Sequence, residues 1–113
     1  MLAGSIPATR TNFMKYKVYA VAYDKRNRIV AKAENSYVKS HPLQARYGKE
    51  ADKSYKIYLH AEIAAIIRAK GKEIHKLKIT CFDIKGRIKP SKPCDVCMLA
   101  INEAKIKVLE YNL

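Results

Sequence analysis

The sequence predicts an α/β fold: one mixed β-sheet with packed helices, in the order β-β-α-β-α-β. Three observations carry that prediction. Val- and Tyr-rich runs flank turn residues early in the chain, an Ala-rich helix-forming run opens at His60, and another opens at Cys94, each followed by a β-branched run. At 113 residues the chain has room for one hydrophobic core and not for two, so residues 1–113 read as a single domain in which distant motifs become neighbours.

Residues 1–14 mix Gly4, Pro7, Thr9 and Asn12 without sustained periodicity and read as an entry segment. Tyr16 to Tyr23 is rich in Val and Tyr; after turn residues Asp24 to Asn27 a second β-prone run, Arg28 to Ala33, completes a hairpin. Residues 35–58 contain Pro42 and Gly48 and read as a loop with short helical pieces, of the kind that lines sites. A helix is expected from about 60 to 70, with Gly71 as its C′ residue. Leu77 to Ile84 forms the third strand, Lys85 to Pro93 a Gly/Pro/Lys loop, and the second helix runs from Cys94 to about Lys105. Ile106 to Tyr111 is the fourth strand, parallel to the third through a right-handed helical crossover. No internal repeat is evident.

No run of 18 apolar residues is present, and Met1 to Lys15 lacks the build of a secretory leader, so the expectation is a cytoplasmic protein without a membrane partner. Twenty-three Lys and Arg against ten Asp and Glu leave a formal charge of +13, which draws the protein toward phosphates. The basic residues are spread over both halves of the chain and do not form a tail. Tyr37, Tyr47, Tyr55 and Tyr58 interleave with Lys39, Arg46, Lys49, Lys53 and Lys56, a pattern suited to single-stranded nucleic acid and equally to loop tyrosines covering a helix.

The three cysteines, Cys81, Cys94 and Cys97, cannot all pair within one chain, and the Cys94/Cys97 spacing is that of a metal or redox site. Cys94 and Cys97 stand one helical turn apart, so both sulfurs can reach one ion. His60, opening the other helix, completes three ligands for Zn2+ with a fourth position left to water. Unsatisfied N–H groups at a helix start favour thiolate over thiol. Glu62, two residues past His60, is placed to move protons as a general acid and base.

His60-x-Glu62 followed by Pro93-Cys94-x-x-Cys97 is the zinc nucleobase deaminase signature. The chain resembles the cytidine/deoxycytidylate deaminase superfamily over roughly Tyr16 to Asn112, which implies a cytidine-deaminase-like fold, here with a shortened C-terminus. It implies hydrolysis of cytosine to uracil on a (deoxy)cytidine nucleotide or on single-stranded nucleic acid, with a homo-oligomer as one form the pocket can take. The resemblance makes Asn35 the holder of the sugar, gives the backbone around Ala61 and Cys94 the task of orienting the base, and adds Pro93 and Ser91 to the substrate side. The run Ser91-Lys92-Pro93-Cys94 looks like small deaminase-like proteins of viral and microbial origin, which extends the expectation to a virus-encoded protein in a host cell. It lacks the pattern of the tRNA adenosine deaminases, so adenine is the alternative base.

Two other readings are open. A structural zinc in a non-catalytic nucleic-acid-binding protein would need a fourth protein ligand from Cys81, His41 or His75. A redox Cys-x-x-Cys would leave His60 and Glu62 without a role. Cys81, in mid-strand, reads as a buried small side chain.

Overall fold

The computed structural model describes residues 16–36, 40–51 and 59–113. The entry segment 1–14 and the loop residues Tyr37, Lys39, Lys53, Tyr55, Lys56 and Tyr58 lie outside the described residues. Among the described residues there are five strands and three helices: β1 (Lys17–Tyr23), β2 (Ile29–Glu34), α1 (Pro42–Glu50), α2 (Ala61–Arg68), β3 (Lys76–Phe82), β4 (Ile88–Lys89), α3 (Asp95–Glu103) and β5 (Val108–Glu110).

β1 is central, antiparallel to β2 on one side and to β3 on the other. The far edge of β3 is shared. β5 runs parallel along Lys76 to Lys78, and β4 pairs antiparallel with Cys81 and Phe82. The expected hairpin and the parallel pair joined through a helix are both present. The sheet has one strand more than expected, because two residues of the anticipated 85–93 loop pair with β3.

Alternation along β1 and β3 sends Ala20, Ala22, Leu77 and Ile79 to the helix-bearing face, all essentially inaccessible. Ala31 and Ala33 of β2 join them, and α2 answers with Ala61, Ala64, Ala65 and Ala69. Small side chains on both surfaces let the helix lie close to the sheet. A second cluster joins the three helices through Tyr47, Ile63, Val96, Cys97 and Ala100. The chemistry lies beside this second cluster.

Residues 42–50 form a two-turn helix where only short helical pieces were expected. His41 caps α1, its Nδ1 accepting the Leu43 N–H at 3.0 Å, and Pro42 occupies the first turn, where a missing N–H costs nothing. Helix α2 ends at Arg68, two residues short of the expected 70, with Ala69 as the C-cap, so Lys70 rather than Gly71 is the C′ residue; both have left-handed backbones, at φ 52° and 83°. After α3, Lys105 takes the same conformation, and the bonds Lys105 N–H to Asn102 O and Ile106 N–H to Ile101 O close the helix end. No helix among the described residues is long and apolar enough to cross a membrane.

The turns between β1 and β2 and between β3 and β4 repeat one chemistry that the sequence reading missed. Asp24 and Asp83 each accept two backbone N–H groups through Oδ1 and an arginine Nε through Oδ2.

Candidate metal centre and active site

Two helix starts face each other across the second core cluster. His60 is the N-cap of α2 and Cys94 the N-cap of α3, both extended in backbone, and neither side chain makes a capping hydrogen bond. An N-cap side chain ordinarily accepts an N–H of the first turn, which contributes about 1 kcal/mol. Here both turn toward each other instead. His60 Nδ1 lies 3.2 Å from Cys97 Sγ and 3.5 Å from Cys94 Sγ, and the three ligand atoms all lie within 4.8 Å of one another.

That spacing fits zinc. Tetrahedral Zn2+ with Zn–N near 2.0 Å and Zn–S near 2.3 Å separates a nitrogen from a sulfur ligand by roughly 3.5 Å. The donor set of one imidazole and two thiols is what zinc prefers when three protein ligands leave one position for a reacting molecule. Among the described residues, neither Cys81, His41 nor His75 belongs to the cluster. Cys81 is buried in β3 as expected, its thiol pushed up chiefly by burial, while His41 Nδ1 is occupied by its cap.

The two thiols share their protons unequally. Cys94 is pulled down to about 3, first by the hydrogen bond from the Cys97 thiol and then, against the cost of burial, by His60. Cys97 moves far up, because its proton is held toward Cys94 and because it is buried. Zinc, when held by His60, Cys94 and Cys97, would take the place of that proton between the two sulfurs.

Glu62 lies on the first turn of α2, 5% exposed, with its carboxyl against Cys97. Burial, the largest effect, raises its pKa above the ordinary carboxylate value. Ala61 and Pro93 are buried at the two helix starts.

Asn35 follows β2. Its Oδ1 accepts the Val18 N–H at 2.9 Å, its own N–H bonds to Val18 O, and the next residue, Ser36, donates its N–H to Leu59 O, next to His60. The strand end is thereby tied to the ligand-bearing segment, and an amide whose oxygen is fixed has its NH2 oriented.

Ser91, expected on the substrate side, makes two structural hydrogen bonds. It is buried, its hydroxyl donating to Ile79 O and accepting from Asn112 N–H, both at 2.9 Å. β4 ends at Lys89 because Pro90 has no N–H for the ladder, and Ser91 Oγ bridges β3 to the chain after β5 across the resulting gap. Gln44 is the residue that sequence reading missed. Wholly buried in α1, it accepts the His60 N–H at Oε1, at 3.2 Å; a partner sixteen residues away leaves no local signal.

The family model of the cytidine and deoxycytidylate deaminase zinc-binding region matches residues 4–112. The chain belongs to this family. No curated protein matches the sequence closely enough to serve as a relative. The zinc-binding family and the placement of His60, Cys94 and Cys97 together support Zn2+ as the metal, and the family makes a zinc-dependent deaminase the kind of enzyme this is.

Proposed function

We propose that the protein hydrolyses cytosine to uracil on a (deoxy)cytidine nucleotide or on single-stranded nucleic acid, with Glu62 as its proton-transfer residue. The observation that carries this reading is a buried carboxyl on the first turn of α2, two residues past one zinc ligand and in contact with another. A structural zinc site has no use for a carboxyl there, since burying it away from solvent is costly.

Zinc, when bound at His60, Cys94 and Cys97, supplies the Lewis acidity that makes water a nucleophile near neutral pH. Glu62 accepts the proton of the attacking water on its carboxylate, delivers it to the ring nitrogen of the base, and passes a second to the departing amine, so that ammonia leaves. A carboxyl whose pKa is raised by burial suits both giving and taking a proton. The Asn35 amide NH2 donates to the sugar, and the backbone N–H groups at the starts of α2 and α3 orient the base. Pro93 shapes the wall beside Cys94.

Cytosine is favoured over adenine because the stretch before Cys94 departs from the tRNA adenosine deaminase pattern. The +13 charge supports contact with a phosphate-bearing polymer as readily as with a nucleotide. Free thiols as ligands suit a reducing cytoplasm.

The test is uracil formation from dCMP, deoxycytidine, single-stranded DNA and single-stranded RNA by zinc-loaded protein and its Glu62→Gln variant. The native protein should convert at least one of the four, and the variant should retain zinc while losing about 10²- to 10⁴-fold in rate. Undiminished turnover by the variant removes Glu62 from the chemistry, and adenine conversion in place of cytosine conversion reassigns the base.

A further inference from the structure

We propose that Gln44 is a positioning residue for the zinc centre, and that α1 is the clamp that sets the spacing between the two halves of that centre. The inference rests on the zinc site alone and not on the choice of substrate.

The ligands come from two separate helix starts, His60 ahead of α2 and Cys94 with Cys97 on α3. Helix α1 is fastened to both. On the α2 side, Gln44 Oε1 accepts the backbone N–H of His60 at 3.2 Å. On the α3 side, Arg46 Nη2 donates to Glu103 Oε1 at 2.5 Å, and Tyr47 is buried against the cluster that contains Val96, Cys97 and Ala100. Gln44 and Tyr47 are one helical turn apart, so a single rigid element addresses both ligand groups.

The His60 N–H has a particular need. In a capping box, a Glu or Gln at the third helical position reaches back to the N–H of the N-cap residue. In α2 that position is Ile63, fully buried in the second core cluster. An apolar side chain there packs the core and leaves the N-cap N–H to find a partner elsewhere, and Gln44 supplies it from a neighbouring helix. Holding that N–H fixes the backbone at His60 and with it the direction from which the imidazole approaches the two sulfurs. Zinc tolerates little error in ligand distance, so loosening this hold falls on metal affinity.

The experiment uses the full chain, stripped of metal and titrated with Zn2+ against a chelating dye, with the visible absorption of the Co2+-substituted protein as the spectroscopic readout. Gln44→Met keeps the volume and removes the acceptor; Gln44→Glu keeps an acceptor at the same reach. The Met variant should bind Zn2+ about 10- to 100-fold more weakly and shift the Co2+ bands, while the Glu variant stays within a few-fold of native. Should Gln44→Met fail to fold, Gln44→Asn asks the same question with the amide drawn back by one methylene. Native affinity and an unchanged Co2+ spectrum in the variant lacking the acceptor, whatever its Tm, would overturn the proposal; so would equal losses in the Met and Glu variants. A native chain that takes up no Zn2+ would instead overturn the zinc centre itself.

Discussion

The β1–β2 and β3–β4 hairpins turn on the same chemistry and come to different ends. Tyr23-Asp24-Lys25-Arg26-Asn27-Arg28-Ile29 and Phe82-Asp83-Ile84-Lys85-Gly86-Arg87-Ile88 align residue for residue. In both, the Asp carboxylate accepts two turn N–H groups at 2.9 Å and the arginine Nε at 2.8 Å. The fourth turn residue is left-handed in each, Asn27 at φ 65° and Gly86 at φ 79°. Yet β2 continues for six residues and β4 for two. After the first turn comes Ile-Val-Ala-Lys-Ala-Glu, in which every residue carries a backbone N–H and no proline interrupts the strand; after the second, Pro90 ends the ladder. The turn sets where the chain reverses, and the residues beyond it set how long the pairing lasts. The early exit matters because it releases the chain to carry Cys94 to the start of α3.

Ser91 marks the largest difference between the two hairpins, since nothing in β2 corresponds to it. Ser91→Ala takes this partner from the buried Ile79 O and from the Asn112 N–H and should cost about 1–3 kcal/mol of unfolding free energy, measured by urea denaturation. A loss no greater than that of an exposed Ser→Ala change would mean that the gap is closed by other bonds.

The two aspartates come next. The Asp83 side chain is 7% exposed against 24% for Asp24, and Lys89 also approaches it, at 3.9 Å. Asp83→Asn should therefore lower Tm more than Asp24→Asn, because its turn N–H groups have less access to water; equal effects would show that the turn chemistry acts alone. Both carboxyls titrate below their ordinary value, first because of the backbone N–H of Arg28 or Arg87. With the folded pKa depressed, the stabilisation is complete above the unfolded value of about 3.9 and is lost as pH falls through the folded one. Thermal melts from pH 6 to pH 2 should show Tm falling below about pH 4, with a shallower fall in the double Asn variant.

The smallest effect separates Gly86 from Asn27. A Cβ at Gly86 meets nothing within 4 Å, so Gly86→Ala should cost only the left-handed backbone penalty, about 1 kcal/mol, and Gly86→Asn less than that. Chemical denaturation of the pair measures it, and equal losses would deny Asn its advantage in this conformation.

The same contrast between local and distant partners explains what could be read from the sequence. His60, Cys94 and Cys97 were legible because a ligand set is defined by residue type and, for the two cysteines, by a spacing of one helical turn. The hairpin and the parallel strand pair followed from alternation and from the helix between them. Helix α1 was obscured by Pro42 and Gly48, although Pro in a first turn marks a helix start as well as a loop; what holds this helix are Gln44 and Tyr47, through partners far away in sequence. The bonds of Ser91 were hidden for the same reason. A hydroxyl beside Pro and Cys looks like part of the site, and only the folded chain brings Ile79 and Asn112 to it.

The unequal sharing of protons between Cys94 and Cys97 makes metal loading an acid–base reaction. A site that keeps one thiol proton until the ion arrives must release it on binding, so uptake of Zn2+ acidifies the surroundings and becomes harder as they grow more acid.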